Sequence, residues 1–207
     1  MRDVLTSEHC FYGAIVEGIK ILVGSIKLSQ ATQFSPEWWI SYNKWAVVNG
    51  IDTQHYDNDI VVIRLLEEVR GETNARIAML SYSFLPLRGT NVEIVGWGIL
   101  NNRNMSDVLQ IAATEILAND ACGDRVTALD GDRVTFDSRY ICTYTEPCIL
   151  LQFGDSGGPL IHNNEVVGIN IGTCPVLDVV IHPAKVNIHL ATRYYKRFIQ
   201  DIVYEYL

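Results

Sequence analysis

The chain has 207 residues, 48% hydrophobic, 10% aromatic and 19% charged, a globular composition sufficient for one large domain or two small ones sharing a core. Its apolar runs fall short of the ~18 residues that span a bilayer, which argues against a membrane-embedded protein. A net charge of −8 without a Lys/Arg block argues against a nucleic-acid partner and reads as solubility.

The opening segment, residues 1–8, has no apolar stretch long enough for a signal peptide, so either the protein is not exported or the sequence begins partway through its domain. Short runs rich in Val and Ile follow at 19–23, 46–51, 59–65, 92–97, 111–117, 140–144, 166–171 and 179–188, punctuated by Gly, Asn, Asp and Pro. This spacing predicts antiparallel barrels or a sandwich rather than βαβ units. Asn104-Met105-Ser106 is a glycosylation acceptor triplet and leans towards secretion. At the C-terminus, Tyr194, Tyr195, Phe198, Ile199, Ile202, Val203 and Tyr206 recur at three- and four-residue spacing with charges between them, which predicts an amphipathic helix. Five cysteines would leave one over in an oxidising compartment, or could all be reduced and buried in a cytosolic protein. The five histidines show no metal-ligand spacing with Cys or carboxylates, so no metal or cofactor is expected.

The strongest chemical signal is Gly154-Asp155-Ser156-Gly157-Gly158-Pro159-Leu160. Glycines around a serine let the backbone turn sharply and bring amide N–H groups close to a reacting carbonyl. Such a serine needs a base, and the base needs an orienting carboxylate. The string also fits the nucleophile elbow of α/β-hydrolases, with Asp178 and His182 as nominal partners, but Gly158-Pro159 and a strand-like run stand where that elbow requires a helix.

Two upstream segments complete a pattern. Val4-Leu5-Thr6-Ser7-Glu8-His9-Cys10 resembles the histidine segment of the trypsin/chymotrypsin family, and 57–65, with Asp59 rather than Asp57 as its acid, is similar to that family's aspartate segment. Leu22-Val23-Gly24-Ser25, Gly96-Trp97-Gly98 and Gly168-Ile169-Asn170-Ile171-Gly172 extend the resemblance over nearly the whole chain. The resemblance implies an all-β fold of two six-stranded antiparallel barrels, the first incomplete at 1–90, the second with the closing helix at 91–207. It implies a serine endopeptidase, extracellular and monomeric, acting on peptide and protein substrates and meeting protein protease inhibitors. His9 would be the base, Asp59 its orienter and Ser156 the nucleophile, with the amides of Gly154 and Ser156 as oxyanion donors.

The same resemblance implies disulfides Cys122–Cys142 and Cys148–Cys174, with Cys10 paired to a cysteine upstream of Met1. Asn170, Ile171 and Gly172 would lie along the substrate. Counting back from Ser156 puts Leu150 at the base of the specificity pocket, an apolar floor; anchoring on Cys148 puts Glu146 there instead, and the serine turn favours Leu150. In the family, an amine freed by proteolysis pairs with the aspartate before the serine, here Asp155. The chain as written contains no such terminus, so Asp155 is expected to be uncompensated and these 207 residues latent. The rival expectation is a non-catalytic homologue used as a binding or regulatory module.

Overall fold

The computed structural model describes residues 2–53, 57–70, 75–83, 88–176 and 182–205. In chain order its elements are β1 (Asp3–Thr6), β2 (Ile21–Val23), β3 (Thr32–Phe34), β4 (Pro36–Ser41), α1 (Tyr42–Val48), β5 (Val61–Leu65), β6 (Met79–Leu80), β7 (Asn91–Gly96), β8 (Gln110–Leu117), α2 (Asn119–Asp130), β9 (Tyr140–Tyr144), β10 (Pro159–His162), β11 (Glu165–Cys174), β12 (Val186–Ala191) and α3 (Lys196–Glu205). They form two compact units: 1–78 with 107–109 and 195–207, and 79–106 with 110–194. The C-terminal helix thus groups with the first unit.

In the first unit β5 is the middle strand of a three-stranded antiparallel sheet, between β1 and β4, and β2 and β3 pair separately. Every residue of Val61-Val62-Ile63-Arg64-Leu65 is buried, as a central strand of β-branched residues requires. Arg64 tolerates this because its guanidinium forks onto Asp3 on β1, Nε to Oδ1 at 2.9 Å and an Nη to Oδ2 at 3.2 Å. The predicted strand at 46–51 is instead the end of helix α1 and the turn after it. Ser41 caps the helix, its Oγ accepting from the Lys44 amide at 3.4 Å. Tyr42 and Trp45 then pack on Tyr195 and Phe198 at the other end of the chain, with ring centroids 5.1 to 5.6 Å apart. Capping and aromatic packing override the β preference of Val47 and Val48, which are left exposed.

The second unit is a closed six-stranded antiparallel barrel. Its strands follow the order β10-β7-β8-β9-β12-β11, and β11 pairs back to β10, with β6 added in parallel at β11. Val92, Ile94, Ile116, Ile141, Leu160 and Val167 fill its interior with Leu151 and Ala191. The β10–β11 hairpin turns through Asn163 and Asn164, both at positive φ (48° and 63°), as a two-residue turn matched to strand twist demands. A disulfide joins Cys122 of α2 to Cys142 of β9. Of the strand predicted at 179–188, residues 179–181 lie outside the described residues; β12 begins at Val186 and continues to Ala191. Tyr206 of the predicted helix also lies outside them.

Candidate active site

His9 sits in a 3-10 turn, Glu8–Phe11, just after β1, and Asp59 stands two residues before β5. The β1–β5 register, Thr6 opposite Val61, sends both segments off the sheet side by side. Asp59 then holds His9 at two points: Oδ1 accepts the backbone N–H at 2.7 Å, and Oδ2 lies 2.6 Å from Nδ1. An ionised carboxylate can only accept, so Nδ1 carries the proton and Nε2 presents its lone pair. Behind Asp59, buried Asn58 accepts from the Tyr195 hydroxyl at 3.1 Å and donates to Asn43 Oδ1 at 2.9 Å, pinning the approach to β5. Burial, the largest influence, pushes the neighbouring Glu8 carboxyl up; a Ser41 hydrogen bond opposes this and the Asp59 charge adds to it. Cys10 Sγ lies 3.1 Å from Ser7 Oγ.

Ser156 belongs to the second unit, on a turn tied to β11. Gly157 N–H donates to Asn170 O at 2.8 Å, Asn170 N–H to Gly158 O at 2.8 Å, and Gly158 N–H to Asp155 O at 3.1 Å. Gly154 opens the turn at φ +95°, which a side chain would disfavour, and a Cβ there would run into the Met105 methyl and Gly98 Cα. Asp155 departs from expectation. Its Oδ1 accepts from the Gly98 amide and its Oδ2 from the Gln152 amide, each at 2.9 Å. Two backbone N–H groups compensate the carboxylate, which was expected to stand uncompensated. The approach depends on Gly98, because a Cβ there would overlap the carboxylate.

Beside Asp155 opens a groove of about 550 Å³ with Leu150, Ile149, Cys148, Ile99, Leu100 and Ile111 among its walls. Glu146 is exposed, and its Oε1 accepts from the Tyr144 hydroxyl at 2.6 Å. The predicted Cys148–Cys174 bridge is not formed; both thiols are unbridged. The physical reason is their surroundings. Cys174 packs against the apolar cluster around Cys122 and Cys142, whereas Cys148 lines the groove. Burial, and secondarily the Asp130 charge, pushes the Cys174 thiol up against the opposing pull of Lys185.

Asn170, expected along the substrate, has a fully buried side chain turned to His189. Ile171 packs on the Cys122–Cys142 cluster, and Gly172 has open space over its Cα. Thr143, Asn187 and His189 were missed by sequence reasoning. The available signal was two polar residues at i and i+2 in the apolar run Val186-Asn187-Ile188-His189-Leu190. Among the described residues, no His/Cys/Asp/Glu cluster could hold a metal ion and no helix is long and apolar enough to cross a membrane.

The trypsin family model matches residues 2–187. Trypsin iota of Drosophila melanogaster is 29% identical over 169 residues, which cover 80% of this chain and 62% of that protein. A chymotrypsin of Phaedon cochleariae is 30% identical over 176 residues, 81% of this chain and 58% of that one. The chain spans about six-tenths of the length of these curated relatives. Among solved structures, the inactivated protease paralogue S-D1 of the scabies mite matches with a TM-score of 0.77 at 21% identity, covering 98% of this chain and 83% of that chain, a likeness of fold.

Proposed function

The chain belongs to the trypsin family of serine proteases, and on that premise we propose that it is a serine endopeptidase with His9, Asp59 and Ser156 as its triad. The observation that carries this reading is the two-point hold of Asp59 on His9, which fixes both the ring's orientation and its tautomer. Nε2 of His9 takes the Ser156 hydroxyl proton as the oxygen attacks a peptide carbonyl. The Asp59 carboxylate stabilises the imidazolium that results. The amides of Gly154 and Ser156 receive the oxyanion, and His9 returns the proton to the leaving amine. Water, deprotonated by the same ring, then hydrolyses the acyl-enzyme and regenerates Ser156.

Substrates are peptides and proteins, cleaved after large apolar residues. Leu150 on the groove wall supports this, as does Glu146 on the surface with Tyr144 as its partner. The Cys122–Cys142 bridge supports an oxidising, extracellular setting. A fluorophosphonate probe should label Ser156 and lose the label in Ser156→Ala, with turnover falling about 10⁶-fold. Labelling that survives the substitution contradicts the nucleophile, and a folded chain that takes no label fits the latent or the non-catalytic reading instead. A peptide-library profile should be dominated by aromatic and large aliphatic residues before the cleaved bond; one dominated by Arg and Lys would return the pocket floor to Glu146.

A further inference from the structure

Four polar side chains stand together in the interior of the barrel at zero exposure: Thr143, Asn170, Asn187 and His189. Buried polar groups of this kind are costly unless each finds a partner. Here the partners form a single directional chain. Asn187 Nδ2 donates to Thr143 Oγ1 at 3.3 Å, and Thr143 Oγ1 lies 3.0 Å from His189 Nε2. His189 Nδ1 lies 2.8 Å from Asn170 Oδ1, and Asn170 Nδ2 donates to the Asp155 carbonyl at 3.4 Å. Because the Asn170 amide nitrogen is committed to Asp155, its oxygen must accept, so His189 carries its proton on Nδ1 and accepts the Thr143 hydroxyl at Nε2.

The two ends of this chain touch the two parts of the site within this unit. At one end is the carbonyl of the peptide that joins Asp155 to Ser156. At the other, Asn187 accepts the Leu151 amide at 2.7 Å and donates to the Ile149 carbonyl at 2.9 Å, holding both peptides that flank Leu150.

We propose that His189, as its neutral Nδ1–H tautomer, is a positioning residue that joins the groove wall at Leu150 and the serine turn into one hydrogen-bonded unit. The proposal rests on Ser156 being the nucleophile. His189 touches neither substrate nor the reacting atoms; it acts through Asn170 on one side and through Thr143 and Asn187 on the other. Its effect therefore falls on the rate at which Ser156 reacts more than on substrate binding, since displacement of a reacting group by about 1 Å can cost ~10²-fold.

Two variants separate positioning from mere core filling in the full 207-residue chain. Asn carries an amide N–H near the place of Nδ1, and Gln carries one near the place of Nε2. His189→Asn should keep the link to Asn170 and label with fluorophosphonate within about threefold of the parent, whereas His189→Gln should lose about tenfold or more. Hydrogen exchange supplies a readout independent of activity: in His189→Gln the Gly157 amide should lose protection while barrel amides such as Val95 keep theirs. Equal labelling rates and equal Gly157 protection in the two variants would overturn the proposal, as would a uniform loss of protection across the barrel in both. If the parent chain takes no label at Ser156, either it is latent or the proposed nucleophile fails. The exchange comparison then decides the positioning role alone, which a selective Gly157 effect sustains and its absence overturns.

Discussion

His189 is a histidine kept uncharged by the barrel that encloses it. Full burial holds its pKa down at about 3, against 6.5 for the free ring. Between pH 6.5 and 3 the unfolded chain binds a proton that the folded chain does not, so the stability this residue contributes is present above pH 6.5 and is lost as the pH falls. The loss approaches about 1.4 kcal/mol per pH unit within that window. Denaturant unfolding of the parent and of His189→Asn should give stability curves that converge as the pH drops from 6.5 to 5; parallel curves would contradict a buried neutral ring. The hydrogen-bonded neighbours of His189, Thr143 and Asn170, do not titrate in this range. At this scale the sequence pointed to residue types more readily than to their directions. Ser156 and its glycines are legible because few other roles need that string. The inward turn of Asn170 is not, since local spacing does not reveal that a histidine lies opposite it on β12. The sequence around Asp155 suggests a distant charge as its partner, whereas its partners are amides supplied by the backbone fold around Gly98 and Gln152.

Among the elements, β5, β7, β8 and β9 were legible because apolar runs of five to eight residues bounded by polar turns have few other outcomes. Helix α1 was not, since its existence depends on a serine cap and on aromatic partners about 150 residues away in sequence. Strand β4 was missed too: Pro36 opens it and a register shift follows between Pro36 and Trp38, so its pattern does not alternate cleanly. The Cys122–Cys142 bridge ties helix α2 to β9 across a separation of 20 residues. Cys122→Ala with Cys142→Ala should cost about 2–4 kcal/mol in urea unfolding, by releasing the unfolded chain. A loss below about 1 kcal/mol would show that the apolar packing of Val126, Val186 and Ile188 holds the helix without it.

For the molecule as a whole, strand spacing sufficed for antiparallel barrels or a sandwich, whereas the Asn163-Asn164 hairpin turn is seen only in the structure. Barrel closure was not readable from the strands singly, because it depends on β10 pairing with both β7 and β11. In the proposed chemistry, His9 and Ser156 act as a unit on a peptide carbonyl. The most direct test is a double-mutant cycle on hydrolysis of a peptide amide with an aromatic residue before the scissile bond, comparing the parent chain, His9→Ala, Ser156→Ala and the double variant. The account predicts that each single substitution lowers turnover by about 10⁶-fold and that the double variant is no slower than either. Losses that multiply in the double variant, or a His9→Ala protein that retains turnover within about tenfold of the parent, would contradict it.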